Sequence, residues 1–150
     1  MANCNSPTIF DLANAFLSIE AMSNKKLQKM CYYAQAWHLV FKDVTIVKAS
    51  FKAWVHGPAN PSLYRRYKKF GFNAIPKYKN VKSLPVDLLA FAREVWRAYG
   101  HLDAYELENL SHSEAPWKEA RDTLRPWEPC TNVISKEVMK KYYRSMLLTA

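Results

Sequence analysis

Residues Asn24 to Phe41, NKKLQKMCYYAQAWHLVF, have the pattern of a buried helix. Positions at helical spacing form one largely apolar stripe of Leu27, Met30, Cys31, Ala34, Trp37, His38 and Phe41. Much of the remaining helix surface is apolar too, at Tyr32, Tyr33, Ala36, Leu39 and Val40. A helix that is apolar on several sides is usually central to its domain. The pattern therefore predicts a helix at the centre of the fold.

Further helical patterns lie on both sides of this segment. One begins at Ser6-Pro7-Thr8 and ends near Met22, with a capping residue before a proline suited to the first turn. The others are Pro85 to Tyr99, a short helix through Leu110 with a capping box of Asp103 and Glu106, Pro116 to Leu124, and a last helix capped by Ser135. We expect a mainly α (α+β) fold, a compact multi-helix domain.

The segment after the central helix changes to a period of two. Val44, Ile46, Phe51, Ala53 and Val55 alternate with polar or amphipathic neighbours in a sequence that favours strands. The alternation predicts a small β-hairpin around residues 44–56.

Length and composition indicate one folded domain over residues 1–150. Of these residues, 49% are hydrophobic and 14% aromatic, which excludes the low-hydrophobicity regime of disordered chains. The sequence contains no internal repeat and no linker rich in glycine and serine. A single core should therefore suffice.

The cysteines and the first residues bear on the compartment. Cys4, Cys31 and Cys130 are odd in number and far apart, which argues against a disulfide framework and favours a reducing environment. Residues 1–7 lack the basic and apolar regions of a signal peptide, and no stretch has the apolar length of a membrane span. We expect a cytoplasmic protein with no membrane partner.

The positive charge is concentrated in the middle of the chain. The 22 basic and 13 acidic residues give a formal net charge of +9. No acidic residue lies between Asp43 and Asp87, whereas nine basic residues do; removing those nine from the 22 leaves 13 basic residues, which balance the 13 acidic ones. A one-sided field of this kind attracts anionic partners. An acidic protein surface and a nucleic acid both fit it.

Within this basic segment, Asn60-Pro61 should cap a short helix that ends at Gly71. Its expected inner face is Leu63, Tyr64, Tyr67 and Phe70, and residues 72–84 are expected to form an irregular loop. The predicted partner-binding residues are Lys52, Trp54, Tyr64, Arg65, Arg66, Lys68, Lys69, Lys77 and Lys79. The alternative is an ordinary solvated helix face with its aromatic residues turned into the core, and Trp54 likewise fits a core or rim position.

Catalytic and metal-binding patterns are weak. The four histidines are scattered, and no spacing gathers them into a metal site. His112-Ser113-Glu114 contains residue types used in catalysis, but a cap and turn before the next helix explains it better, because adjacent residues rarely face one another. The sequence lacks the nucleotide-binding and nucleophile-elbow glycine motifs. We therefore expect no enzyme, no cofactor and no metal.

Four sequence blocks resemble a known family. They are LQKMCYYAQAWH at Leu27 to His38, FKAWVHGP at Phe51 to Pro58, AYGHL at Ala98 to Leu102, and HSEAPWKEAR at His112 to Arg121. In order and spacing, from about Ile9 to Tyr143, they are similar to the Panacea domain of SocA-like antitoxins and phage-associated GepA-like proteins.

The resemblance implies a bacterial or phage-borne antitoxin that neutralises, by direct contact, a toxin encoded beside it. For the SocA branch it further implies an adaptor that delivers the toxin to a ClpXP-type protease. It also implies a structural role for the shared residues, which are Tyr32, Tyr33, Gln35, Gly57, Pro58, His112, Glu114, Pro116 and Trp117. Two alternatives stay open: nucleic-acid binding through residues 48–82, and inhibition of a host or defence protein by a phage-borne protein.

Overall fold

The computed structural model describes residues 6 to 149, so the predictions for Cys4 and for residues 1–5 lie outside the described residues. Helix α1 (Ile9–Ile19) begins after Thr8, whose side chain and that of Asp11 form a capping box. The helix therefore starts later than Ser6 and ends before Met22, because Glu20 is extended and the carbonyl oxygen of Met22 accepts a bond from Ile75 at 2.8 Å. The predicted boundaries were wrong at both ends.

Helix α2 (Asn24–Lys42) lies at the centre of the fold, as predicted. It contacts helices from both halves of the chain. Most of its residues are buried, including four polar ones, Asn24, Gln28, Lys29 and Gln35. The buried apolar side chains form one cluster that extends from Ile9 to Tyr143, and α2 supplies the largest share of it.

The β-hairpin lies later than expected. Strands β1 (Lys52–Trp54) and β2 (Gly57–Ala59) pair antiparallel, with Lys52 opposite Ala59. The turn is Val55-His56, and Gly57 follows it with φ of +106°, a conformation that favours glycine. A small hairpin is confirmed, and it overlaps the predicted range of residues 44–56 only from residue 52 onward, because residues 44–51 are irregular.

The side chain of Gln35 explains why residues 46–49 form no strand. Its Oε1 accepts bonds from the amides of Ile46 (2.9 Å) and Val47 (3.3 Å). Its Nε2 donates to the carbonyl oxygens of Val47 (2.9 Å) and Ala49 (3.0 Å). Buried backbone groups require hydrogen-bond partners, and here a side chain supplies what a strand would otherwise supply.

Helix α3 (Pro61–Tyr67) carries the basic residues. The side chain of Asn60 caps it by accepting a bond from the Leu63 amide at 3.0 Å. A 3₁₀ turn, Lys68–Phe70, extends the helix to Gly71. Apart from a 3₁₀ turn at Val81–Ser83, residues 72–84 are irregular, as predicted.

The second half of the described chain is helical. Its helices are α4 (Val86–Tyr99), α5 (Ala104–His112), α6 (Ala115–Arg121) and α7 (Lys136–Thr149). The capping box of Asp103 and Glu106 on α5 is confirmed. Helix α6 ends at Arg121 rather than Leu124, because Asp122 adopts a φ of 55° and the chain folds back over the Arg121 guanidinium. The fold is mainly α, as expected.

Candidate partner-binding groove

Some of the predicted partner-binding residues line one groove and the others lie elsewhere on the surface. Arg65, Arg66, Lys68, Lys69, Lys77 and Lys79 are exposed, Tyr64 is 41% exposed, and Lys52 and Trp54 are half-buried. The helix pattern placed Tyr64 on the inner face of α3, but its side chain does not point into the core. Its ring packs edge-on against Trp54 instead, with the ring centres 5.4 Å apart. The structure thus brings Trp54, Tyr64 and Lys68 together around one groove. The other predicted residues do not line it; they are Lys52, Arg65, Arg66, Lys69, Lys77 and Lys79.

The nine lysine and arginine side chains of residues 48–82 have no carboxylate partner among the described residues. Within residues 6–149, none of the nine forms an ion pair. Arg65 instead donates to the Ser62 hydroxyl at 3.3 Å, and the guanidinium of Arg66 lies 4.0 Å from the Phe10 ring centre. These charges therefore remain available to an anionic partner.

The groove lies between α2, the hairpin and the end of α3, and its volume is about 460 Å³. It is lined by Asn24, Lys25, Gln28, Lys29, Trp54, His56, Ala59, Tyr64, Lys68, Gly71 and Phe72. The Phe72 side chain at its edge is 99% exposed. The groove thus combines cationic groups with aromatic surface, as protein interfaces often do.

Lys29 reaches the groove from the buried face of α2 and is 2% exposed. Its Nζ donates to the carbonyl oxygen of Pro58 at 3.3 Å. Burial, together with the nearby charge of Lys25, lowers the pKa of Lys29 to about 7. Gly57 leaves room for the lysine, since a Cβ there would lie 2.5 Å from Lys29 Cε.

An ion-pair cluster lies beside Lys29. Glu108 on α5 pairs with Lys25 on α2 and with His56 Nδ1 in the hairpin turn, the latter at 3.2 Å. Burial raises the pKa of Glu108, but the hydrogen bonds from Lys25 and His56 outweigh burial and lower it. Glu108 therefore stays ionised and engaged with Lys25 and His56.

Tyr32, Tyr33 and Tyr143 form a buried hydrogen-bonded network with Glu114. The hydroxyls of Tyr33 and Tyr143 both donate to Glu114 Oε1, at 2.7 and 2.8 Å, and the hydroxyls of Tyr32 and Tyr143 are 3.0 Å apart. The ring of Tyr33 stacks on Tyr99 at 4.2 Å. Burial raises the pKa of Glu114, and the two hydrogen bonds oppose that rise. The network joins α2, α6 and α7.

The HSEAPWKEAR block connects α5 and α6 to the hairpin. Trp117 stacks on His112 at 4.0 Å, and its Nε1 donates to the carbonyl oxygen of Trp54 at 2.8 Å. Arg121 is 2% exposed, and its guanidinium donates to the carbonyl oxygen of Ala53 at 2.8 Å. Pro116 is buried in the first turn of α6. These contacts position β1, which carries Trp54 into the groove.

The side chains of His112, Ser113 and Glu114 have separate partners. His112 stacks on Trp117, Ser113 donates to the Leu110 carbonyl oxygen at 2.6 Å, and Glu114 faces the tyrosine network. No catalytic arrangement joins the three. Among residues 6–149, no three histidine, cysteine or carboxylate side chains come together as metal ligands, and no helix has the length and apolarity to cross a bilayer.

The polar residues of the groove on α2 were missed by the sequence analysis. Lys25, Gln28 and Lys29 are spaced i, i+3 and i+4, which places them on one helix face beside Tyr32. That polar stripe on an otherwise apolar helix was a usable signal. Glu108 gave no such signal, because only the fold brings α5 next to α2.

The family match covers a narrower part of the chain than the span from Ile9 to Tyr143, but it includes the first three sequence blocks and the fourth as far as Lys118. The family model described as antitoxin SocA-like, Panacea domain, matches residues 27–118. Antitoxin SocA of Caulobacter vibrioides is 30% identical over 113 residues, covering 64% of this chain. The matched region spans 58% of that relative's length. No solved structure matches the chain significantly. Because the family model covers more than half of the residues, the chain belongs to the SocA-like antitoxin family, whose members share the Panacea domain.

Proposed function

We propose that this protein is a cytoplasmic, non-enzymatic antitoxin that neutralises a partner toxin by direct binding, and that residues 1–150 act as one domain. Family membership supports the antitoxin role. The observation that carries direct binding is the groove beside α3, where Lys29 and Lys68, which form no ion pair within residues 6–149, lie with the aromatic pair of Trp54 and Tyr64.

The exposed charges and the aromatic side chains contribute to binding in different ways. Exposed charges such as Arg65 and Lys69 chiefly raise the rate of encounter with an acidic surface. Aromatic side chains in a desolvated pocket supply most of the affinity. The toxin surface that meets this groove should therefore be acidic and carry at least one apolar side chain.

Delivery of the bound toxin to a ClpXP-type protease is a further step of the proposal. It predicts that the toxin's half-life shortens when the antitoxin is co-expressed and lengthens again when the protease is removed. If the toxin's half-life does not change, the antitoxin masks the toxin without delivering it to a protease.

The test of the main proposal is co-expression with the neighbouring gene. We expect the neighbour alone to arrest growth, the pair to grow, and the two proteins to co-purify. Rescue without co-purification would contradict direct masking. A pull-down from the native host with mass spectrometry would identify the partner independently of gene order, including a host or defence protein.

Nucleic-acid binding is the second candidate, favoured by the nine lysine and arginine side chains of residues 48–82, which have no ion-pair partner in the part of the chain that the structure describes. It predicts measurable affinity for arbitrary oligonucleotides, with each neutralised phosphate adding about 0.7 to 0.9 to the slope of log affinity against log salt. Sub-micromolar binding at physiological salt would favour this candidate over the antitoxin.

A further inference from the structure

Two buried polar groups in the groove lack the hydrogen bonds that they can make. Lys29 has three donors, yet within residues 6–149 its Nζ makes one hydrogen bond, the 3.3 Å contact to Pro58. Asn24, which is 5% exposed, donates through Nδ2 to the Tyr64 carbonyl oxygen at 3.2 Å. Its Oδ1 has no partner among the described residues. Buried polar groups are normally satisfied, so these two point to a ligand.

We propose that the groove binds a short segment of the partner protein in which a glutamate or aspartate lies beside an aromatic or large aliphatic residue. The carboxylate bonds to Lys29, a backbone N–H bonds to Asn24 Oδ1, and the apolar side chain packs against Trp54, Tyr64 and Phe72. This inference rests on the proposed function, because the segment is taken to belong to the toxin.

Charge complementarity favours a carboxylate. Glu108, the acidic residue near Lys29, is already engaged by Lys25 and His56 and contributes no hydrogen bond to Lys29. Lys68 adds a further cation to the lining. A desolvated ammonium regains its lost solvation from an anion that accepts its hydrogen bonds. The lowered pKa of Lys29 is consistent with an ammonium whose burial is poorly compensated.

The groove favours a polypeptide over a nucleic-acid strand. Asn24 Oδ1 requires a donor, which every non-proline residue of a peptide backbone supplies, whereas in a nucleic-acid strand only the bases and a 2′-hydroxyl carry donors. The aromatic edge, with Phe72 almost fully exposed, suits an apolar side chain. The volume of about 460 Å³ lies in the ~300–1,000 Å³ range of ligand pockets, so it accepts a short segment.

The first test needs no toxin. Random peptides displayed on phage are selected on the full-length protein, and we expect enrichment of an acidic residue next to an aromatic or large aliphatic one. With Lys29→Met the acidic preference should disappear, whereas with Lys82→Met, an exposed lysine outside the groove, it should persist. Enrichment without an acidic residue, or an acidic preference that survives Lys29→Met, would overturn the inference.

The second test uses a selected peptide in titration. We expect Lys29→Met to weaken its binding by at least about tenfold, because the loss of one member of a buried charge pair is costly. Phe72→Ala, which cannot disturb the core, should weaken it as well. A single-stranded oligonucleotide should not compete; competition abolished by Lys29→Met would assign the groove to nucleic acid and refute the peptide.

The third test separates this inference from the proposed function. If the wild-type protein binds and neutralises the toxin but Lys29→Met and Phe72→Ala bind it equally well, the groove assignment fails and the antitoxin function stands. If the selected peptides bind through Lys29 but no toxin is bound or neutralised, the antitoxin function fails and the groove remains a peptide site.

Discussion

The indole N–H of Trp117 donates to the backbone carbonyl oxygen of Trp54 at 2.8 Å, which ties α6 to the strand that carries the groove's aromatic wall. Trp117 is 5% exposed and lies between His112 and Arg121, 4.0 and 4.7 Å from them respectively. One side chain thus connects the family's HSEAPWKEAR block to the candidate binding surface. Its loss should affect both stability and partner binding.

We expect Trp117→Ala to lower the free energy of unfolding by about 3 to 5 kcal/mol, the usual cost of truncating a large buried aromatic side chain. Trp117→Phe keeps much of the ring packing but leaves the Trp54 carbonyl oxygen without its donor, at a smaller cost of about 1 to 3 kcal/mol. Urea denaturation measures both. A melting temperature of Trp117→Ala within a degree or so of wild type would place Trp117 on the contact surface instead.

Gln35→Leu should destabilise the protein by at least about 2 kcal/mol, since several backbone groups of residues 46–49 lose their partners and each buried unsatisfied group costs about 1 to 3 kcal/mol. Amide hydrogen exchange should accelerate first at Ile46 and Val47. Gln28→Leu is a suitable comparison, because Gln28 bonds Asn60 instead and should leave exchange at Ile46 unchanged. Unaltered exchange at Ile46 in Gln35→Leu would contradict this role.

Lys29 should make stability depend on pH. Its folded-state pKa of about 7 lies below its ordinary value of 10.5, so the unfolded chain binds more protons between these values and stability rises with pH there. The slope from this group approaches about 1.4 kcal/mol per pH unit. The charged and titratable groups facing it are Lys25 on α2, His56 in the hairpin turn, Glu108 and His112 on α5, and Lys68 after α3.

Lys29→Met should remove this slope between about pH 7.5 and 9.5, before the tyrosines of the unfolded chain ionise near pH 10. It should also be more stable than wild type near pH 7, because no ammonium has to be buried. Urea denaturation at a series of pH values measures both effects. If the free energy of unfolding changes with pH in the same way for wild type and Lys29→Met, Lys29 keeps an ordinary pKa.

Charge reversal on the basic surface should slow toxin binding. Arg65→Glu with Lys69→Glu should lower the association rate constant by about tenfold at low salt, while the melting temperature stays close to wild type. Lys118→Glu with Lys141→Glu changes the net charge equally at exposed positions outside the basic segment and should have a smaller effect. Stopped-flow kinetics at several salt concentrations compares them. If both double mutants slow association equally, the basic residues on and after α3 do not steer the toxin locally.

Local patterns were sufficient to predict much of the fold. The helical spacing of Leu27, Met30 and Ala34 identified α2, and the capping box of Asp103 and Glu106 marked the start of α5. The hairpin was misplaced because alternation at Val44 and Ile46 cannot reveal that the distant side chain of Gln35 bonds that backbone. The prediction that Tyr64 lies on the inner face of α3 was wrong for the same kind of reason, since the side chain that it contacts, Trp54, is on another element.

The amino-acid sequence by itself determined the mainly helical class, the position of the central helix, the excess of positive charge at residues 48–82 and the family. These properties depend on composition and on spacing along one helix. Tertiary structure alone decided that Lys29 is buried, that Glu108 is held by Lys25 and His56, and that Asn24 and Phe72 border one groove. The physical reason is that burial and electrostatic environment are set by elements far apart in the chain, and no local periodicity records which of them meet.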